Sequence, residues 1–400
     1  MAQLNQLYDY VANALEVVEM KLIRDRNDIE DDSINFSPEF AHQVFGENES
    51  IFGYRDLKVR LYYTAGALNM YLGCKYSSRV DERDGLKADD VTSKISQLLT
   101  SGCYFTSIDE FCSKLGKDES FVPFGEMVDA LTVTEGGKER HFEFYSCDAN
   151  TPGFVAFHTR MQTFVMWFVD AASYIDLDDP QWMFYVCYEK YTNSEGKTLY
   201  ATVGYTTIYV YYAYPEHIRP RISQMLVLPP FQKLGIGSKF IQVIYNRFKF
   251  DDKVIDITVE DPSDEFRRIR NVIDVRNCQE LASFSPDKIK NGFTSEMVKE
   301  ATKSFKINPR QCRIIYEILR LRCTNVNDEK EYKAYRLEVK KRLNVNHHKQ
   351  VNDFQKLEKA GQDISILSAG IPTPEERIEQ LKLEYKELEE EYQRIIDKIN

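Results

Sequence analysis

Between the strand-like Ile222 to Leu228 and the helix-like Ser238 to Phe248 the chain reads Gln232-Lys233-Leu234-Gly235-Ile236-Gly237, and few backbone conformations suit that order of residues. Two glycines at a strand-to-helix turn let the main chain approach a ligand closely, and the N–H groups that open the next helix carry the positive end of its dipole. The backbone amides of Gln232, Lys233, Leu234, Gly235, Ile236, Gly237 and Ser238 can therefore cradle a pyrophosphate, so the loop implies an anionic cofactor. Spacing excludes two common nucleotide loops. Ser238 follows Gly237 where a Walker loop needs Lys, and Phe240 stands where a dinucleotide fold needs its third glycine.

Downstream, Val254-Ile255-Asp256-Ile257-Thr258-Val259-Glu260-Asp261-Pro262-Ser263 alternates with a period of two. Ile255, Ile257 and Val259 share one face of the predicted strand, Asp256, Thr258 and Glu260 share the other, and Pro262 ends it. Glu260 is thus expected at a strand terminus. The Gln-x-x-Gly-x-Gly turn resembles the acetyl-CoA loop of the GNAT acetyltransferases. The block from Gln224 to Ser263 resembles the signature of the type B histone acetyltransferase catalytic subunits. Phe45-Gly46-Glu47-Asn48-Glu49 with Phe52-Gly53-Tyr54, Met166-Trp167-Phe168, Ala201-Thr202-Val203-Gly204-Tyr205 and Tyr316-Glu317-Ile318-Leu319-Arg320 are similar to the same family. The resemblance runs over residues 1 to about 345.

That resemblance implies an enzyme moving acetyl from acetyl-CoA to lysines in the N-terminal tail of newly made histone H four. A WD-repeat histone chaperone is its implied partner. A lysine amine is almost wholly protonated at neutral pH, with an ordinary pKa of about 10.4, so a base is needed. The family's general base falls on Glu260, with Asp261 and Asp170 in support. Asp170 departs from the family's Glu and is one methylene shorter, which suits action through water rather than direct abstraction. Met225, Leu226 and Val227 would run along the pantetheine arm, on a strand that carries a bulge in GNAT folds, with a backbone N–H near Leu226 or Val227 as oxyanion donor. Ser263 and Phe266 match cofactor contacts of the family. Glu47, Asn48 and Glu49 match one contact with the histone tail, and Tyr209, Val210 and Tyr211 match a second, where an exposed strand edge would take an extended peptide. No Cys lies near the Gly loop or Glu260, which favours a ternary complex over an acetyl-cysteine intermediate. Two rivals remain: a GNAT enzyme for another protein amine, and a catalytically weak histone-binding assembly factor.

Bulk properties agree with an intracellular globular enzyme. Among 400 residues, 43% are hydrophobic, enough for a sizeable core, and no apolar run is long enough to span a bilayer. The N-terminus lacks a signal-peptide pattern, so cytoplasm and nucleus are the expected compartments. Eight cysteines are scattered without a Cys-x-x-Cys pair, which indicates neither metal nor disulfides. A net charge of −11 argues against nucleic acid and for a basic partner. Acidic groups cluster at Asp25 to Asp32, Glu47 to Glu49, Asp176 to Asp179 and Glu260-Asp261.

The expected fold class is α/β (α+β): a GNAT acetyltransferase core with flanking domains. Residues 1–121 read as an N-terminal α+β substrate-binding domain with a helical start at Leu4 to Leu22. Residues 122–272 read as the core, with a helix at Met161 to Tyr174 and strands at Trp182 to Tyr191, Leu199 to Tyr214 and Pro220 to Leu228. Residues 273–345 read as a helical domain, and 346–372 as a polar linker. Thr373-Pro374-Glu375-Glu376 then caps a last helix whose Ile378, Leu381, Tyr385, Leu388, Tyr392, Ile395 and Ile399 make a heptad seam. Self-association and packing back onto the domain both fit that seam.

Overall fold

The computed structural model describes residues 8–80, 86–100, 102–360 and 372–399. It is a mixed α/β chain of two compact units, one comprising residues up to 244 with 259–261 and the other 245–258 with 262 onward.

Among the described residues, two two-stranded sheets accompany two main sheets. The smaller main sheet is built from β1 (Val18–Ile23), β2 (Lys58–Thr64), β3 (Met70–Lys75) and β4 (Tyr104–Phe105), in that spatial order. Here the helical start is corrected. Residues 4–7 lie outside the described residues; beyond them Tyr8 is helical, and after the strand Val11–Asn13 a single short turn, Ala14–Val17, precedes β1. Val18, Met20 and Leu22 alternate at strand spacing, and β1 pairs with β2 in parallel from Val18↔Val59 to Ile23↔Thr64.

The larger sheet contains β5 (Glu126–Glu135), β6 (Lys138–Cys147), β7 (Trp182–Thr192), β8 (Thr198–Ala213), β9 (His217–Val227) and β10 (Thr258–Val259), ordered β10-β9-β8-β7-β6-β5. The aromatic strands β7, β8 and β9 fall where the sequence predicts them. The hairpin of β5 and β6 went unread, although Gly136-Gly137, both at positive φ, supplies the two-residue turn such hairpins favour. Helix α3 (Phe154–Met161) packs on one face, with Phe154 5.1 Å from Phe184. On the other face α5 (Ile236–Phe248) sets Phe240 edge-on to Phe144 at 5.0 Å. Between them, α4 (Val165–Phe168) completes a helical stretch that ends at Phe168, not Tyr174, because Val169 is already extended.

The second unit is helical: α6 (Asp264–Cys278), α7 (Ser295–Phe305), α8 (Pro309–Cys323), α9 (Glu329–Leu343), α10 (Val345–Lys359) and α11 (Pro374–Ile399). Residues 346–372 read as linker from their polarity, but Val345–Lys359 form the helix α10; the stretch 361–371 lies outside the described residues. The predicted cap of α11 forms, with Glu376 N–H donating to Thr373 Oγ1 and the Glu376 carboxylate accepting from Thr373 N–H. Its seam packs back inside the unit, where Tyr385, Tyr392 and Ile395 are buried with Tyr316, Ile318 and Tyr335. Glu317, fully buried, accepts from Arg313, Arg342 and Tyr392 at 3.1, 2.7 and 3.0 Å.

Candidate active site

The site begins at an irregularity in β9. Thr206 pairs with Met225 but Ile208 pairs with Ile222, so the register shifts and β9 carries one residue too many. Such a bulge rotates successive side chains out of regular alternation. Thr207 Oγ1 accepts from Gln224 N–H and Thr206 Oγ1 donates to Gln224 O, both at 3.0 Å, which satisfies the bulged backbone. Ser223 Oγ donates to Glu260 Oε2 at 2.7 Å, while Gln224 Nε2 donates to Ser173 O at 2.9 Å. One bulge therefore orients the predicted base and also anchors the loop that follows Asp170.

Glu260 itself is exposed, and its N–H donates to Ile222 O at 2.9 Å. The strand expected over Val254 to Val259 is mostly absent. Only Thr258–Val259 joins the sheet, and Asp256, assigned to the same face as Glu260, is buried whereas Glu260 is exposed. The reason lies in the second unit: Ile257 N–H donates to Lys306 O and Arg270 Nη2 to Ile257 O, so this backbone bonds to helix termini and side chains instead of a ladder. Asp261 follows at φ 30°, a left-handed conformation that Asp tolerates better than most residues, and turns the chain before Pro262.

Because β10 is two residues long against eleven in β9, it covers only a small part of that edge. Leu228 N–H donates to Val203 O on the β8 side. Alternation then turns the main-chain groups of Leu226 toward β8 and those of Val227 toward the open edge, where Val227 O accepts from Gln232 Nε2 at 3.1 Å. Met225, Leu226 and Val227 thus line a strand with a free flank.

The turn beyond β9 leads into a helix as expected, but the helix begins at Ile236 rather than Ser238, so Gly237 lies within it. Lys233 and Gly235 take positive φ, 64° and 83°, and α5 starts at Ile236 with its first bond from Lys239 N–H to Gly235 O. Ile236, Gly237 and Ser238 therefore open the helix with N–H groups that have no intrahelical acceptor. A Cβ on Gly235 would meet nothing within 4 Å, so the loop keeps open space at its tip. Gln232 N–H is spent on Pro229 O at 3.3 Å. Lys239 pairs with Asp129 at 2.8 Å and holds this end of α5 against β5. A cavity of about 390 Å³ opens on the same turn, lined in part by Asn35, Phe36, Pro229 and Phe231, and none of the predicted site residues lines it. Ser263 and Phe266 belong to the second unit. Ser263 caps α6 by accepting from Phe266 N–H at 3.2 Å, and Phe266 is buried.

Asp170 is two-thirds exposed, with Oδ1 3.2 Å from His42 Nε2. Of the first predicted substrate loop, Glu47 and Asn48 are exposed. Glu49 turns inward, accepting from Ala41 N–H at 2.6 Å and His42 N–H at 3.1 Å. The second predicted contact is not a free edge along its length. Tyr209 and Val210 pair with Arg221 and Pro220 on one side, and Val210 N–H donates to Gln181 O on the other. Tyr209 donates to Asp179 Oδ2 at 2.9 Å, and that carboxylate, followed by burial, pushes its phenol above the ordinary value. Trp182, 5.0 Å from Tyr209, and Tyr211, 4.5 Å from it, complete an aromatic group.

The acidic run Asp25 to Asp32 is largely exposed but folds over a buried lysine. Lys21, fully buried, donates to Ile29 O at 2.8 Å and pairs with Asp32 at 3.4 Å, so these charges organise their own loop. Sequence reasoning missed Ser223, Gln224 and His42. Gln224 left a trace as a polar residue in the buried phase of β9, whereas Glu260, which Ser223 meets, and Asp170, which His42 meets, lie far along the chain.

Comparison with known proteins gives a consistent picture. Residues 10–170 match the model "Histone acetyl transferase HAT1 N-terminus", and residues 270–321 match "Histone acetyltransferase type B catalytic subunit, C-terminal". The chain is 41% identical to the histone acetyltransferase type B catalytic subunit of Homo sapiens, over 98% of this chain and 94% of that one. It is 40% identical to the one of Mus musculus, over 98% and 95%. A similarly named protein of Dictyostelium discoideum is 30% identical over 92% and 77%. Among solved structures, an aminoglycoside acetyltransferase from a soil metagenomic sample is 21% identical, covering 35% of this chain and 88% of that one. Its TM-score of 0.24 is too low to bear on the fold.

Proposed function

This chain belongs to the type B histone acetyltransferase catalytic subunits, and from that membership we propose that it acetylates lysines in the free tail of histone H four, with Glu260 as general base. That it is an acetyltransferase acting on histones follows from the family; the tail, the cosubstrate and the base are the further reading. The observation that carries it is the hydrogen bond from Ser223 to Glu260, beside the open edge of β9 and one short turn from the Gly loop.

Acetyl-CoA, when bound, supplies the acetyl group as a thioester. The open tip at Gly235 and the unpaired amides of Ile236, Gly237 and Ser238 suit its pyrophosphate, and the flank of Met225 to Val227 suits its extended arm. Val227 N–H, rather than Leu226 N–H, faces that flank and would donate to the carbonyl oxygen as negative charge builds on it. Glu260 takes the proton from the lysine ammonium, and the Ser223 hydroxyl holds its carboxylate in one orientation. Asp261 and Asp170 add negative charge that draws the cationic substrate. The bulge in β9 supports a GNAT core. Glu47, Asn48 and the aromatic group at Tyr209 would flank the tail. A WD-repeat histone chaperone as partner, and work in both cytoplasm and nucleus, complete the proposal. The covered seam of α11 favours its fold-back role over self-association.

The test is transfer of labelled acetyl from acetyl-CoA to a panel of core-histone tail peptides by the native chain and by Glu260→Gln. Selective labelling of the histone H four tail is expected, with a loss of about 10² to 10⁴ in kcat for Glu260→Gln and unchanged acetyl-CoA affinity. Cofactor binding with no transfer to any tail would favour another amine substrate or an inactive assembly factor.

A further inference from the structure

We propose that His42 is a positioning residue that aims the Asp170 carboxylate and couples it to the Glu47–Glu49 loop. The proposal rests on the reading of Asp170 as part of the acetyl-transfer site. Helix α1 (His42–Phe45) follows Ala41, which has no side chain able to cap it. Glu49, from the loop after the helix, supplies the missing acceptor for the N–H groups of Ala41 and His42. Capping in this way leaves the His42 ring between two carboxylates, with Nδ1 3.6 Å from Glu49 Oε1 and Nε2 3.2 Å from Asp170 Oδ1. One imidazole thus touches both the predicted substrate loop and the candidate helper of Glu260.

The main chain around Asp170 does not need this contact. Glu39 and Phe40 N–H groups donate to Trp167 O at 2.9 and 3.0 Å, Gln43 Nε2 donates to Ala172 O at 3.0 Å, and Gln224 Nε2 to Ser173 O. Those bonds hold the loop, including Ala171 at its left-handed φ of 52°. What they leave free is the Asp170 side chain, two-thirds exposed and able to rotate about two torsions. With Nε2 only 3.2 Å from Oδ1, the ring favours one rotamer of that side chain over the others. It also answers the shorter side chain: with Asp in place of Glu, the carboxylate has less reach of its own, so its aim depends on a neighbour.

The test is a double-mutant cycle in the full-length chain with His42→Ala, Asp170→Asn and the pair, using acetyl-CoA and the histone H four tail peptide. Expected are losses of about tenfold in kcat/KM for each single variant and about tenfold, not a hundredfold, for the double, with acetyl-CoA affinity unchanged. His42→Gln, whose amide can still donate to Asp170, is expected within about threefold of the native chain. It also decides the matter if His42→Ala folds poorly. Additive losses, a silent His42→Ala or a failure of His42→Gln to restore activity would overturn the proposal. A silent Asp170→Asn beside an inactive Glu260→Gln would overturn it while leaving the proposed base intact; an active Glu260→Gln would instead remove the base.

Discussion

Single residues in this chain do distinct electrostatic work. His158 is wholly buried against Phe154 and Phe184, and neither ring nitrogen has a partner among the described residues. Burial alone pushes its pKa down to about 4. The unfolded chain binds a proton at this residue near pH 6.5, the folded chain only near 4, so stability is lost as the pH falls between those values. His158→Phe should remove that loss, on the order of 3 kcal/mol, and urea unfolding of both chains at pH 7 and pH 4.5 would reveal it. Parallel acid sensitivity in the two chains would refute the assignment. Glu189 behaves differently: burial would raise it, but Arg140 and Arg24 outweigh burial and hold its carboxyl below the ordinary value. Its contribution is present above the ordinary glutamate pKa and lost as the pH falls through the depressed one. At this scale the sequence was most readable where function is local. The proposed roles of Gly235, Gly237 and Glu260 rest on spacing to their neighbours, whereas that of His42 depends on Glu49 and Asp170, the latter 128 positions away.

At the scale of elements, β8 and β9 approach closely at Gly204. A Cβ on Gly204 would stand 2.3 Å from Leu226 O and 2.9 Å from Val227 Cα, both main-chain atoms that cannot yield cheaply. Gly204→Ala should separate the strands beside Val227, cost about 1 to 3 kcal/mol of stability and weaken acetyl-CoA binding. Denaturant unfolding and calorimetric titration measure the two effects; a fully tolerated alanine would show that the strands have room. Long aromatic strands and capped helices were legible here because their patterns agree with their surroundings. Val254 to Ile257 misled because period-two alternation says nothing of whether a partner strand exists, and this segment finds Lys306 and Arg270 instead. Residues 345–359 misled in the opposite sense, since a helix with little apolar surface reads as linker.

For the molecule as a whole, α11 is an integral part of the second unit. Tyr385, Tyr392, Ile395 and Ile396 are buried there, each worth about 1.5 to 3 kcal/mol, and Tyr392 is one of three donors to the buried Glu317. A chain stopping before Thr373 should therefore lose the cooperative unfolding of this unit and become protease-sensitive beyond residue 262, while Ile378→Ser at an exposed seam position should change little. Equal protease resistance of the shortened chain would show that α11 is dispensable. Residues 259–261 pack in the first unit although both their sequence neighbours pack in the second. A ribosome releases the chain in order, so everything up to Ile244 leaves it before Glu260 does. The loop proposed to hold acetyl-CoA is then outside before the proposed base, and a nascent chain stays chemically silent until residues 259–261 have joined the first unit.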